Sequence, residues 1–95
     1  MSVYMIIEIK AFDKGMYSEY VKKVKPLVEK HGGRYLARGG KVMPFEGGWD
    51  PGRIVVIEFD SMEKWEKCFK SPEYRKIAPL REKSAETRAI VVEGC

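Results

Sequence analysis

The sequence predicts an α+β fold, an antiparallel sheet with helices packed on one side, and three observations carry that prediction. Four segments read as strands, the segments between them repeat apolar residues at helical spacing, and the two kinds alternate in the order β-α-β-β-α-β. That order is the ferredoxin-like one, in a single domain spanning residues 1–95.

The first strand, Val3 to Ile9, places Val3, Met5, Ile7 and Ile9 on one face and Tyr4, Ile6 and Glu8 on the other. Arg53 to Phe59 repeats the pattern, with Val55, Ile57 and Phe59 on one side and Ile54, Val56 and Glu58 opposite. Both faces of the sheet are thus largely apolar, and each needs a cover. The helices supply one. Leaving several large apolar side chains in water on the other forgoes roughly 1.5–3 kcal/mol apiece, so two sheets packed about a two-fold axis are expected. The expected partner is a second copy of the chain, in a homodimer or a higher oligomer, with Glu8 and Glu58 needing partners in the central space.

Between the strands, Asp13 is a candidate N-cap for a helix whose buried stripe is Tyr17, Tyr20, Val21, Val24, Leu27 and Val28. Pro26 inside that pattern predicts a kink or break, and His31-Gly32-Gly33 stops the helix. A second strand covers Arg34–Arg38, followed by a short extended piece over Lys41–Phe45 and turn material from Glu46 to Gly52 around Trp49. After the third strand, Ser61 caps a short helix carrying Met62, Trp65 and Phe69. Ser71-Pro72-Glu73 then starts another helix with Tyr74, Ile77 and Leu80 inward. Pro79 should shorten or bend that helix, and Thr87–Glu93 is the last strand.

Composition narrows the functional classes. At 44% hydrophobic and 34% charged, with lysine and glutamate interleaved and a net charge of +4, the chain reads as an ordinary globular protein with a mixed-charge surface. No nucleic-acid partner is expected from that dispersed charge, and no membrane partner, since no apolar run approaches a membrane span. The expected location is cytoplasmic. The absence of asparagine and glutamine alongside abundant lysine and glutamate is a thermophile-like composition.

Cys68 and Cys95 have neither metal-ligand nor redox spacing, and Cys68 on an amphipathic helix reads as a small buried residue. The Gly32-Gly33 and Gly39-Gly40 doublets lack the pattern of a phosphate loop, so neither metal nor cofactor is expected. The residues able to carry chemistry are Glu8, Glu58, Arg38, Arg53 and His31. Carboxylates among apolar neighbours titrate high unless arginine pairs with them, and an arginine–carboxylate pair can present a bidentate anion site. The alternative is an ion-pair network that pins a dimer. His31 is the only histidine, and its place at a helix end favours a capping role over that of a general base. Tyr4 and Tyr35 are candidate pocket donors or packing residues. Trp49, in its glycine-rich loop, is either a segment that closes over a ligand or a surface anchor.

The segments His31-Gly32-Gly33-Arg34-Tyr35-Leu36-Ala37-Arg38-Gly39-Gly40, Glu46-Gly47, Arg53 with Val56-Ile57-Glu58-Phe59, Ser71-Pro72-Glu73-Tyr74 with Arg81, and Val91-Val92-Glu93-Gly94 occur in this order. Together they resemble the uncharacterised family known as domain of unknown function thirteen-thirty, of the dimeric α+β barrel superfamily. The resemblance implies a ferredoxin-like protomer whose sheet pairs with that of a second copy, and it implies no particular reaction. Where the family carries a tryptophan-tyrosine pair before the Ser-Pro-Glu-Tyr motif, this chain has Cys68-Phe69, with Trp65 one helical turn earlier.

The functional expectation is a cofactor-independent homodimer that binds or transforms a small polar carbonyl or carboxylate compound, either between sheet and helices or inside the barrel. The sequence leaves enzyme and binder open. The alternative is a structural or interaction module without catalytic activity. An RNA-binding sheet is disfavoured, because Ile54, Val56 and Glu58 occupy positions where stacking aromatics would be needed.

Overall fold

The computed structural model describes residues 1–95 and contains β1 (Val3–Ala11), α1 (Lys14–Lys30), β2 (Arg34–Arg38), β3 (Arg53–Phe59), α2 (Met62–Phe69), α3 (Pro72–Glu82) and β4 (Ala85–Glu93). The strands form one antiparallel sheet in the order β2-β3-β1-β4. This is the ferredoxin-like arrangement, with the second helical segment split in two at Ser71.

Local chemistry explains the helix starts. The side chains of Asp13, Ser61 and Ser71 accept hydrogen bonds from the backbone N–H groups of Met16, Lys64 and Tyr74, each satisfying a donor that the first helical turn leaves free. Neither proline interrupts its helix. α1 runs unbroken through Pro26 and α3 through Pro79, because both prolines lie on the exposed side, where the carbonyl deprived of a partner can bond water.

The core lies on one side of the sheet. Val3, Met5, Ile7 and Ile9 of β1 and Val55, Ile57 and Phe59 of β3 are buried against Tyr17, Tyr20, Val24, Leu27 and Val28 of α1, with Cys68 and Tyr74 closing the layer. Trp65 donates its indole N–H to the Met5 sulfur at 3.2 Å and stacks on Phe69, so it fills space beside the core. The molecule measures 35 × 34 × 17 Å. Its thin dimension has room for a sheet and one layer of helices roughly 10 Å across, which leaves the other sheet face bare.

The piece over Lys41–Phe45 lies outside the sheet, since the chain leaves it after β2 and pairs with nothing until Arg53. Two expectations change. β1 and β4 are longer than predicted, because Lys10↔Glu86 and Ala11↔Ala85 extend their ladder. β2 carries a bulge: Tyr35 pairs with Ile57 and Ala37 with Val56, so Leu36 and Ala37 together oppose one residue of β3. Beyond the bulge the alternation reverses, and Arg38, opposite Val55, lies on the helix side.

Candidate binding cleft between sheet and helices

The sheet divides the residues singled out from the sequence. Tyr4, Glu8 and Glu58 lie on the bare face, since their register partners include Val92, Ile54 and Arg34 and none belongs to the core set. Arg38 and Arg53 lie on the helix side and line a recess there. His31 is at the end of α1, where its Nδ1 meets the Leu27 carbonyl at 3.0 Å, a capping contact apart from either group.

On the bare face, Glu8 is fully engaged. The Trp49 indole N–H donates to Glu8 Oε2 at 3.0 Å, and Arg88, its direct partner on β4, donates from Nε to Oε1 at 2.8 Å. The Trp49 bond first and Arg88 second hold the Glu8 carboxyl below its usual range. Glu58 pairs with Arg34 at 3.3 Å, and Arg34 also bonds Asp60 at 2.9 Å. A hollow of about 250 Å³ beneath Trp49 is lined by Ile6, Ile54 and Ile90 together with the Glu8–Arg88 pair. The carboxylates here have partners, so this face offers apolar contact and settled ion pairs.

The helix side is electrostatically unsettled. A cleft opens between the sheet and α1, lined by Ile7, Ile57, Val24 and Phe69 together with the polar side chains Tyr17, Tyr20, Tyr35, Arg38, Arg53 and Arg81. The Arg53 guanidinium lies 5.9 Å from the Tyr17 ring centre, that of Arg38 5.3 Å from Tyr35, and that of Arg81 6.0 Å from Tyr74. None of these three arginines has a carboxylate partner; among arginines, only Arg34 and Arg88 form ion pairs. The Nε atoms of Arg53 and Arg81 are buried without any hydrogen-bond acceptor. An unsatisfied buried donor on a charged group is costly, so these two N–H groups need an acceptor, water or another group, from outside the chain.

The tyrosines of the cleft are held protonated. Burial raises Tyr17, opposed by the Arg53, Arg81 and Arg38 charges in that order, and burial lifts Tyr35 to about 12. Tyr20 and Tyr74 share a buried hydrogen bond of 2.9 Å, and burial raises both. Phenol groups in this state donate hydrogen bonds and do not act as bases near neutrality. Cys68, fully buried and raised to about 12 mainly by burial, is no nucleophile. No three His, Cys, Asp or Glu side chains converge as a metal site would require.

Sequence reasoning missed Arg81, Tyr17 and Tyr20 as cleft residues and Arg88 as the partner of Glu8. Arg81 lies four residues after Ile77 and seven after Tyr74, the spacing of a single helix face, so its inward position was readable. Arg88 became readable only once the β1–β4 register was known.

The family model described as domain of unknown function (DUF1330) matches residues 2–95. The chain belongs to the DUF1330 family. A search of curated proteins finds no match. Among solved structures, this DUF1330 protein is similar to RPA0582, a protein of unknown function from Rhodopseudomonas palustris, with a TM-score of 0.82 at 16% identity, covering 99% of this chain and 82% of that one. SnoaB, a cofactor-independent oxygenase from Streptomyces nogalater, superposes with a TM-score of 0.70 at 5% identity over 99% of this chain and 93% of its own. A dimeric protein of unknown function and ferredoxin-like fold from Bacteroides fragilis gives 0.56 at 15% identity over 98% and 96%. At these identities the likeness establishes the fold, and self-association is in keeping with it.

Proposed function

We propose that this DUF1330 protein binds a small carboxylate or carbonyl compound in the cleft between sheet and helices, with the polar end of the compound at Arg38, Arg53 and Arg81. The carrying observation is that three guanidinium groups gather at one mouth with no carboxylate among them, two of them with buried, unanswered Nε–H donors. Such an arrangement is unfavourable in the free protein and becomes favourable when an anion arrives. The enclosed part of the recess is about 30 Å³, roughly the room of one water, and the rest is open toward solvent. Only a short apolar portion of a ligand would enter it, with the polar end toward the opening. A cofactor-independent reaction on the bound compound is the enzymatic form of this reading, by analogy with SnoaB.

Titration calorimetry and thermal shift with benzoate test it. Benzoate should bind and raise the melting temperature, and Arg53→Met with Arg81→Met should abolish both effects. Failure of the intact protein to bind benzoate or any other small acid would sink the proposal.

The bare face supports a second element of the same reading, a homodimer joined sheet to sheet. Leu36, Ile90 and Val92 are exposed there, beside the half-buried Tyr4, Ile6, Ile54 and Val56, a contiguous apolar surface of the sort that marks an interface. Within such a pair, the Glu8–Arg88 and Glu58–Arg34 bridges would supply the charge pairing that an interior needs.

A further inference from the structure

Resting on the proposed cleft, we infer that its ligand carries two negative charges at one end, as a phosphate monoester or a compact dicarboxylate does, and not a single carboxylate. The argument is one of charge and donor number. One carboxylate is matched by one guanidinium in a bidentate fork, which neutralises one charge and occupies two N–H donors. The cleft presents three guanidinium groups, each with five N–H donors, and supplies no acid of its own. A monoanion would leave two positive charges in a partly desolvated mouth, still repelling each other.

The backbone is arranged to keep these charges together. Gly39 adopts a left-handed conformation with φ of 80°, and a Cβ there would lie 2.7 Å from the guanidinium carbon of Arg53. The left-handed turn therefore requires glycine, and the Arg53 guanidinium packs into the space that the missing side chain leaves. The β2 bulge turns Arg38 to the same side, and the α3 stripe delivers Arg81 from the opposite wall. Three separate elements thus converge on the mouth, each with one cation. The tyrosines beside them, all protonated, add donors and no negative charge.

The second charge cannot lie deep in the cleft. Ile7, Ile57, Val24 and Phe69 line the interior, and an ionised group among them would lose its hydration without a partner. Both charges therefore belong at the same end, with the apolar remainder pointing inward.

The test compares benzoate, phthalate and phenyl phosphate by titration calorimetry at pH 8 and constant ionic strength. These share an aromatic body and differ in charge and in acid type. Tighter binding of either dianion than of benzoate, by about tenfold or more, supports the inference, and the stronger of the two identifies the head as dicarboxylate or phosphoryl. Equal affinity for all three overturns the inference while leaving the carboxylate-binding reading intact. Binding of none overturns both. Arg38→Met supplies the second readout: it should weaken the dianions by a larger factor than benzoate, and an equal loss for all three compounds counts against a three-arginine head site.

Discussion

The hydroxyl groups of Tyr20 and Tyr74, on α1 and α3, meet at 2.9 Å inside the helical layer, with both residues almost wholly buried. This is the buried polar tie between the helix that walls the cleft and the helix that brings Arg81 to it, beside the exposed Lys30–Glu73 ion pair at 2.9 Å. Removing one hydroxyl leaves the other buried and unpaired, whereas removing both leaves two phenylalanines of nearly the same shape. Tyr20→Phe and Tyr74→Phe should each cost about 1–2 kcal/mol in urea unfolding, and the double variant less than their sum. Additive losses would show that the two hydroxyls do not depend on each other.

Gly39→Ala should be costly through its backbone and should also shift Arg53. A left-handed alanine costs about 1–2 kcal/mol, and the new methyl group must displace the Arg53 guanidinium. Anion binding should fall along with stability. Gly40→Ala is the control, because its added carbon meets nothing within 4 Å. Equal behaviour of the two variants would contradict the packing of Arg53 on β2.

Ile90 is 63% exposed on β4 and lines the bare-face hollow. In an isolated protomer Ile90→Lys is a surface change worth less than about 0.5 kcal/mol. If two sheets pack face to face, it places an ammonium in the interface and should convert a dimer to a folded monomer in sedimentation equilibrium. A variant that sediments as the parent protein does would exclude this face as the interface.

The Glu8 carboxyl is held below its ordinary 4.5 by Trp49 and then Arg88. A depressed folded-state value means that this contribution to stability is present in full above pH 4.5 and is lost as pH falls through the lower folded value. Trp49 fluorescence, isolated by subtracting a Trp49→Phe variant, should report release of the loop in that acid window. Glu8→Gln should remove the pH dependence of that signal, and an unchanged acid transition in the variant would assign it to another group.

Much of this architecture can be read from alternation alone. β1 and β3 are so regularly patterned that their inner and outer faces, and the lack of a cover for one of them, follow from counting by twos. The helix caps at Asp13, Ser61 and Ser71 are equally local. What counting could not reach is the side of the sheet on which Arg38 lies. Unbroken alternation along β2 puts it with Arg34 and Glu58, and only the bulge, a product of pairing with β3, sends it to the helices. Arg53 shares parity with Val55 and Ile57, so its inward position was already implicit in the pattern. The convergence of Arg38, Arg53 and Arg81 is a tertiary fact, since no segment contains more than one of them.

The bulge at Leu36 also has a bearing on how this lineage can change. Deleting Leu36 would leave Ala37 opposite Val56 and Arg38 opposite Val55 in a regular ladder, so the cation would keep its side, whereas a register in which Leu36 itself takes Val56 would set Arg38 opposite Ile54 on the bare face. The charge layout of this edge strand therefore tolerates a change of length at the bulge in a way that it does not tolerate a slip of register.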